Sequence, residues 1–178
     1  MKEIEIKLSL SSFAEAEERI EKLAGKKGSE VKKDDIYFRT PSSRYQALRI
    51  RNNNGRLEAT CKKMSYKETE ENEEFEFAIK DGEKEKAVSF FLALGYEIFF
   101  EKRKRGLEWM HEGVHIELFN VNDIGIFCEL EALIPFDSND SDISRTQDKI
   151  MKIVSALGYE SNIERRSYRE LILGPEYR

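Results

Sequence analysis

Apolar and polar side chains alternate with a period of two along most of the chain. Residues 2–10, 34–40, 45–52, 56–63, 72–80, 97–110, 114–120, 126–134 and 165–173 carry this signature and read as strands. Asn53-Asn54-Gly55 joins two of them with the chemistry of a tight hairpin turn, and Glu112-Gly113 is a weaker instance. So many strands with so few helices between them predict antiparallel pairing.

Three segments change to helical spacing. The first runs from about Ser12 to Leu23, with Ser12 and Glu15 as a capping box and Gly25 past its end. Its apolar residues Phe13, Ala16, Ile20 and Leu23 share one face. The second follows Asp81-Gly82 and carries Ala87, Val88, Phe91 and Leu92 up to Gly95. The third begins near Asp142, after a loop over 137–142, and carries Ile143, Ile150, Ile153, Val154 and Leu157 up to Gly158. Ala93-Leu94-Gly95-Tyr96-Glu97 recurs as Ala156-Leu157-Gly158-Tyr159-Glu160, which suggests a duplicated helix–strand unit. No linker divides the chain, so residues 1–178 read as a single domain.

Each strand has an apolar and a charged face. Ile4, Ile6 and Leu8 alternate with Glu3, Glu5 and Lys7. Leu48 and Ile50 alternate with Arg49 and Arg51. Phe75, Phe77 and Ile79 alternate with Glu74, Glu76 and Lys80. Ile116 and Leu118 alternate with His115, Glu117 and Phe119. Cys128, Leu130 and Ala132 alternate with Phe127, Glu129, Glu131 and Leu133. An ordinary sheet, wet on one face, would account for any one of these strands. It accounts less well for three Glu-x-Glu pairs, Glu3/Glu5, Glu74/Glu76 and Glu129/Glu131, because like charges on one face repel unless cations neutralise them. A closed antiparallel β-barrel of about eight strands resolves the pattern: an α+β fold with helices packed outside and the charged face lining a bore. Paired glutamates suit Mg²⁺ or Mn²⁺, while Arg and Lys suit phosphate oxygens. Such a bore fits a metal–polyphosphate complex.

Composition narrows the choice. With 30 basic against 35 acidic residues the net charge is −5, which disfavours nucleic acid or an anionic membrane as partner. No window has the length of apolar residues that a membrane span needs, and Met1-Lys2-Glu3-Ile4-Glu5 lacks the apolar core of a signal peptide. Cys61 and Cys128 stand apart from any metal-type spacing and read as free thiols, so a cytoplasmic setting is expected. A homodimer is compatible with this reading. His111 and His115 flank a hairpin, and only His115 shares the charged face with Glu117. Trp109 and the Phe91, Phe99 and Phe100 group read as core, Arg165-Arg166 as surface, and the run from Lys62 to Glu71 as a loop at one mouth.

Glu3-Ile4-Glu5-Ile6-Lys7 resembles the N-terminal Glu-x-Glu-x-Lys signature of the CYTH family, the triphosphate tunnel metalloenzymes. Further segments follow in family order. Asp35-Ile36-Tyr37-Phe38 resembles Asp-x-Tyr-Phe, Ala47-Leu48-Arg49-Ile50-Arg51 resembles Leu-Arg-Ile-Arg, and Thr60-Cys61-Lys62 resembles Thr-x-Lys. Glu74 and Glu76 match the mid-chain acidic pair, Lys102 to Arg105 the basic strand, and the segment from Ile124 to Glu131 Leu-Gly-x-Phe-x-Glu-x-Glu. Ser167-Tyr168-Arg169-Glu170-Leu171 resembles the closing segment of the class IV adenylyl cyclase branch.

The resemblance implies conversion of ATP to cyclic AMP and pyrophosphate at a two-metal site of Mg²⁺ or Mn²⁺. The alternatives are a tunnel triphosphatase acting on inorganic triphosphate, thiamine triphosphate or a nucleotide, and a non-catalytic polyphosphate-binding module. It implies metal binding by Glu3, Glu5, Glu129 and Glu131, with Glu74, Glu76 and Glu117 as auxiliaries. It implies phosphate binding by Lys7, Arg49, Arg51, Lys62, Lys102 and Lys104, with Arg103 and Arg105 included while that strand's register is open; face parity favours Lys102 and Lys104. Glu3, Glu5, Lys7, Glu129 and Glu131 are the catalytic set. The sequence departs from the family pattern at Phe119, where an Asp is usual and for which Glu117 could substitute, and at Asn72, where an Arg is frequent.

Overall fold

The computed structural model describes residues 1–40, 46–64 and 72–177, with side chains left out of the description at 46, 47, 62–64 and 72–74. Eight strands and four helices follow in the order β1 (Lys2–Leu10), α1 (Phe13–Ala24), β2 (Ser29–Arg39), β3 (Gln46–Asn53), β4 (Arg56–Met64), β5 (Asn72–Ile79), α2 (Lys84–Ala93), β6 (Glu97–His111), β7 (Val114–Val121), β8 (Gly125–Ile134), α3 (Asp140–Leu157) and α4 (Tyr168–Leu173).

Every strand pair is antiparallel, and the order β1-β5-β4-β3-β2-β6-β7-β8 is cyclic. β1 pairs with β8 from Lys2↔Ile134 to Leu10↔Ile126. Its other edge meets β5 at Lys2↔Glu73 and Glu3↔Asn72 alone, so the barrel is seamed by a short ladder. Gly106 on β6 permits one close approach: a Cβ there would fall 1.8 Å from the Leu118 carbonyl oxygen of β7.

The helices cover the apolar face of the sheet. The Ser12 hydroxyl accepts a hydrogen bond from the Glu15 amide to start α1, and Gly25, at φ 67°, ends it in the left-handed region. Asn139 caps α3 in the same way, so that helix begins at Asp140 and takes up the end of the expected 137–142 loop. Ala16 and Ile20 of α1 pack with Ile143, Ile150, Ile153, Val154 and Leu157 of α3 over Ile4, Leu8, Ile116, Leu118, Cys128 and Leu130. Trp109 belongs to this core, as expected. A smaller cluster joins Phe91 of α2 to Phe38, Ile50 and Ala59. Phe75 and Phe77, on the apolar face of β5, stay exposed. Cys61 and Cys128 are free thiols. No helix among the described residues is long and apolar enough to cross a membrane.

Two expectations are corrected. The segment 165–173 is no strand: Tyr168–Leu173 is helical. Ser167 and Glu170 form a reciprocal capping box, and the turn brings Tyr168 and Leu171 together against Phe119 and Phe127. The duplicated unit also diverges. Ala93–Glu97 leads from α2 into β6, but Ala156–Glu160 leads from α3 into a 3₁₀ turn at Glu160–Asn162. There the Asn162 amide donates to the Ser9 carbonyl and Ile163 bridges Leu8, which turns the chain back onto β1.

Candidate active site

Pairing registers carry the charged side chains into a few layers on the inner face. Asp35 lies opposite Arg51 on one side and Lys102 on the other; Lys33 lies opposite Lys104, and Tyr37 between Arg49 and Phe100. On the far wall Glu5 faces Glu131, Lys7 faces Glu129, Glu117 faces both Glu108 and Glu129, and His115 faces Glu131. Lys33, Asp35, Thr60, Lys102, Lys104, Glu117 and Glu129 are all buried.

Buried charge must be paired, and here it is. Lys104 Nζ donates to Glu129 Oε2 at 2.5 Å, and Lys33 Nζ donates to Glu117 Oε1. Arg51 grips Asp35 with both arms, Nε to Oδ1 at 2.7 Å and Nη2 to Oδ2 at 2.9 Å. Lys102 Nζ lies 3.3 Å from Asp35 Oδ2 and donates to the Tyr37 hydroxyl at 3.0 Å. Thr60 Oγ1 donates to Glu76 Oε1 at 3.1 Å, with Arg49 Nη2 at 3.9 Å from the same oxygen. Lys7 donates to the Arg166 carbonyl at 2.5 Å. The Tyr168 ring lies under three ammonium groups, those of Lys7, Lys102 and Lys104, 4.5 to 4.9 Å from its centroid.

The electrostatics are divided. Burial opposes ionisation of Asp35, but Lys102, Arg51 and Arg49 outweigh it and hold the carboxyl well below its ordinary value. Glu129 is likewise buried yet lowered, by Lys104 and Lys102. Lys104 is raised, because Glu129 and Glu117 outweigh its desolvation. Lys102 goes the other way, lowered by burial together with Lys104 and Arg51. Glu131 is the reverse of Glu129: burial and the neighbouring Glu3, Glu5 and Glu117 push its carboxyl up to about 8. Negative charge is therefore in excess around Glu131 and balanced around Glu129.

That excess fits a hard divalent cation. Glu3, Glu5 and Glu117 all act on Glu131 in the same sense as its burial, against ionisation. Glu129 is buried with Lys104 on one oxygen and the Tyr168 hydroxyl beside it, and hydrogen bonding to both helps hold its carboxyl ionised. A hard divalent cation held by Glu131 with its neighbours would offset that repulsion.

Most of the expected residues share this inner face: Glu3, Glu5, Lys7, Arg49, Arg51, Glu76, Lys102, Lys104, Glu117, Glu129 and Glu131. Glu76 is half exposed near the β5 seam. The side chains of Lys62 and Glu74 lie outside the described residues, although their backbones pair with one another, and so does the expected mouth loop at 65–71. Arg103 and Arg105 point the other way. Both are exposed, and Arg105 pairs with Asp34 at 2.6 Å on the outer face, because β6 keeps strict alternation through Lys102–Arg105. Lys33, Asp35, Tyr37, Glu108 and Tyr168 were not expected in the site. The first three lie in β2, which begins at Ser29 rather than 34, so the alternation Val31-Lys33-Asp35-Tyr37 was cut short.

Phe119 is wholly buried with Val31, Val121 and Phe127, and Ile124, Tyr168 and Leu171 pack against them. Where the family pattern has a carboxylate, this chain has an apolar cluster inside the barrel.

The CYTH domain pattern matches residues 1–168. The chain belongs to the CYTH domain family. It is 32% identical over 177 residues to a Methanocaldococcus jannaschii protein provisionally named an adenylate cyclase, covering 96% of this chain and 98% of the relative. A solved structure from Pyrococcus horikoshii superposes with a TM-score of 0.82 at 29% identity, covering 99% of each chain. An adenylyl cyclase homologue from Hippeastrum has the same fold, with a TM-score of 0.65 at 17% identity over 97% of this chain and 95% of that one. For a CYTH chain, a small-molecule triphosphate substrate and metal dependence follow from membership.

Proposed function

We propose that this CYTH chain uses its barrel as a tunnel that binds a nucleotide triphosphate with two divalent cations, Mg²⁺ or Mn²⁺, and converts ATP to cyclic AMP and pyrophosphate. The observation that carries the reading is the interleaving of paired cations and carboxylates on one inner face. Lys102 and Lys104 on β6 stand two strands from Glu129 and Glu131 on β8, with Glu5 on β1 adjacent to β8 and Arg51 on β3, two strands to the other side of β6.

In this reading Glu3, Glu5, Glu129 and Glu131 hold the metals, with Glu117, Glu76 and Glu74 as auxiliaries. The cations supply charge stabilisation at the phosphate oxygens. Lys7, Arg49, Arg51, Lys62, Lys102 and Lys104 clamp the triphosphate. The ligand-free ion pairs act as placeholders. With triphosphate and metal bound, Lys104 would pair with a phosphate oxygen and Glu129 would be one of the residues holding a cation, so neither charge would be left buried alone. The ribose 3′-oxygen forms its bond to the α-phosphorus as the bond from that phosphorus to the α–β bridging oxygen breaks. Pyrophosphate departs with the bridging oxygen, its charge neutralised by the basic clamp, and the hydroxyl proton passes to solvent.

A second reading is favoured by Phe119. With a carboxylate replaced by an apolar cluster, the cation geometry that a cyclase needs is altered, and attack of water on the terminal phosphorus becomes the competing reaction. The Hippeastrum protein is described as having a dominant triphosphatase activity. The test is incubation with ATP, tripolyphosphate and thiamine triphosphate in Mg²⁺ or Mn²⁺, beside Glu5→Ala, with products resolved by chromatography. Cyclic AMP and pyrophosphate lost in the variant support the cyclase. Orthophosphate moves the assignment to a triphosphatase, and no product with any substrate leaves a binding module.

A further inference from the structure

β5 turns two aromatic side chains to solvent. Phe75 and Phe77 are 61% and 62% exposed, although they continue an apolar face that α2 covers elsewhere. Phe77 lies opposite Ala59 of β4, and Ala59 packs in the cluster of Phe38, Ile50 and Phe91. Exposed aromatics that adjoin a covered face mark a surface for association.

The same strand has an open edge. On the β4 side its ladder runs the whole length, from Leu57↔Ile79 to Met64↔Asn72. On the β1 side it holds only Lys2↔Glu73 and Glu3↔Asn72. From Phe75 to Ile79 that edge therefore carries no strand among the described residues. An unpaired edge flanked by apolar side chains is a template for one more strand.

The residues along the edge select a second copy of β5 as that strand. Two copies meet antiparallel about a twofold axis, so the pairing is reciprocal: residue i faces residue j, and j faces i. Keeping the phenylalanines together on the outer face leaves few registers. One centred on Glu76 sets two carboxylates against each other, which is destabilising. One centred on Phe77 sets Glu76 against Ala78 and leaves its charge unanswered. One centred on Ala78 sets Glu76 against Lys80 and Phe77 against Ile79, each pair occurring twice, with the small Ala78 on the axis. Opposite charges and aromatic–β-branched contacts both favour this last register.

We propose that β5 is a self-association edge, through which two copies pair antiparallel over Glu76–Lys80 about Ala78 and join their barrels. Phe77 packs on Ile79 of the second copy, with Phe75 at the rim of the contact. Lys80 of the second copy stands opposite Glu76, so each copy lends a cation to the β5 seam of the other. The pairing needs no ligand and is independent of what the bore binds.

The test is sedimentation velocity over a concentration series, on wild type, Phe77→Ala, Lys80→Glu and the charge-reversed pair Glu76→Lys with Lys80→Glu. Phe77 and Lys80 are exposed, so the single changes leave the core intact. Wild type is expected as a dimer. Phe77→Ala and Lys80→Glu weaken association at least about tenfold, and the charge-reversed pair restores it. Ala78→Cys reads the axis directly: opposed residues of an antiparallel pair lie about 4.5–5.5 Å apart at Cα, within disulfide reach. Mild oxidation therefore links two copies of that variant and not of wild type. A wild-type monomer at every concentration overturns the proposal. So does a dimer that Phe77→Ala and Lys80→Glu leave unaltered, or an Ala78→Cys protein that stays unlinked.

Discussion

Lys104 and Glu129 form a 2.5 Å ion pair with side chains 5% and 9% exposed, on strands that are not neighbours in the sheet. Their bond spans the bore from β6 to β8, across β7. Each residue holds the other in its charged form: Glu129 raises the Lys104 ammonium, and Lys104 lowers the Glu129 carboxyl against the pull of burial.

Breaking this pair from one side leaves the other charge desolvated. Lys104→Met and Glu129→Gln should each destabilise the ligand-free chain by about 3–5 kcal/mol, and the double variant by clearly less than their sum. Urea unfolding of the four proteins measures the coupling. Strict additivity would mean the two side chains do not meet in solution.

Glu131 gives the pH dependence. Its folded-state carboxyl is pushed up to about 8 from an ordinary 4.5, so between those values the folded chain holds a proton that the unfolded chain has released. Its contribution is fully present below pH 4.5 and is lost as the pH rises towards 8. The metal-free protein should lose stability across this window, and Glu131→Gln should flatten the slope. Saturating Mg²⁺ with tripolyphosphate should flatten it too and raise the melting temperature by several degrees over EDTA. Melts at intervals across the window check both. A wild-type slope identical to that of Glu131→Gln would remove the proposed crowding.

Parity separates the basic residues of β6. Lys104 faces the bore and Arg105 pairs with Asp34 outside, where an exposed ion pair is worth about 1 kcal/mol or less. Lys104→Ala should weaken tripolyphosphate binding at least about tenfold, the loss expected for a buried charge-assisted contact, while Arg105→Ala should change it less than about twofold. Calorimetry in Mg²⁺ decides. Equal losses would mean that the phosphate clamp does not follow the inner face.

The barrel was legible because charge on a strand has only two faces to choose from. Glu3/Glu5, Arg49/Arg51 and Glu129/Glu131 declared the inner face by alternation alone, and the apolar residues between them declared the core. What was not legible depended on local chemistry or on strand length. Tyr168 fell in the segment 165–173 that was read as a strand, yet the Ser167–Glu170 spacing is that of a helix cap. Lys33 was missed because β2 extends five residues upstream of its expected start, whereas Asp35 lay inside the expected strand and gained its place only from the register that sets it between Arg51 and Lys102. Glu108 drew no attention beside Trp109, since only the β6–β7 register brings it opposite Glu117.

Phe119 allows a test of how the departure from the family pattern is accommodated. The ring is fully buried among Val31, Val121 and Phe127, and the ammonium groups of Lys33 and Lys104 lie 5.6 and 4.8 Å from its centroid. Phe119→Leu keeps the cluster apolar and should cost about 1 kcal/mol. Phe119→Asp removes about as much packing as a truncation, roughly 3–5 kcal/mol, and adds a carboxylate that the two lysines neutralise only in part. Its metal-free melting temperature should therefore fall well below that of Phe119→Leu. The same carboxylate stands near Glu117 and Glu129, so stabilisation by Mg²⁺ should be larger in Phe119→Asp than in wild type. Melts of the three proteins with EDTA and with Mg²⁺ make the comparison. A Phe119→Asp protein as stable as wild type, or one no more responsive to Mg²⁺, would show that position 119 neither supports the interior cluster nor borders the cation site.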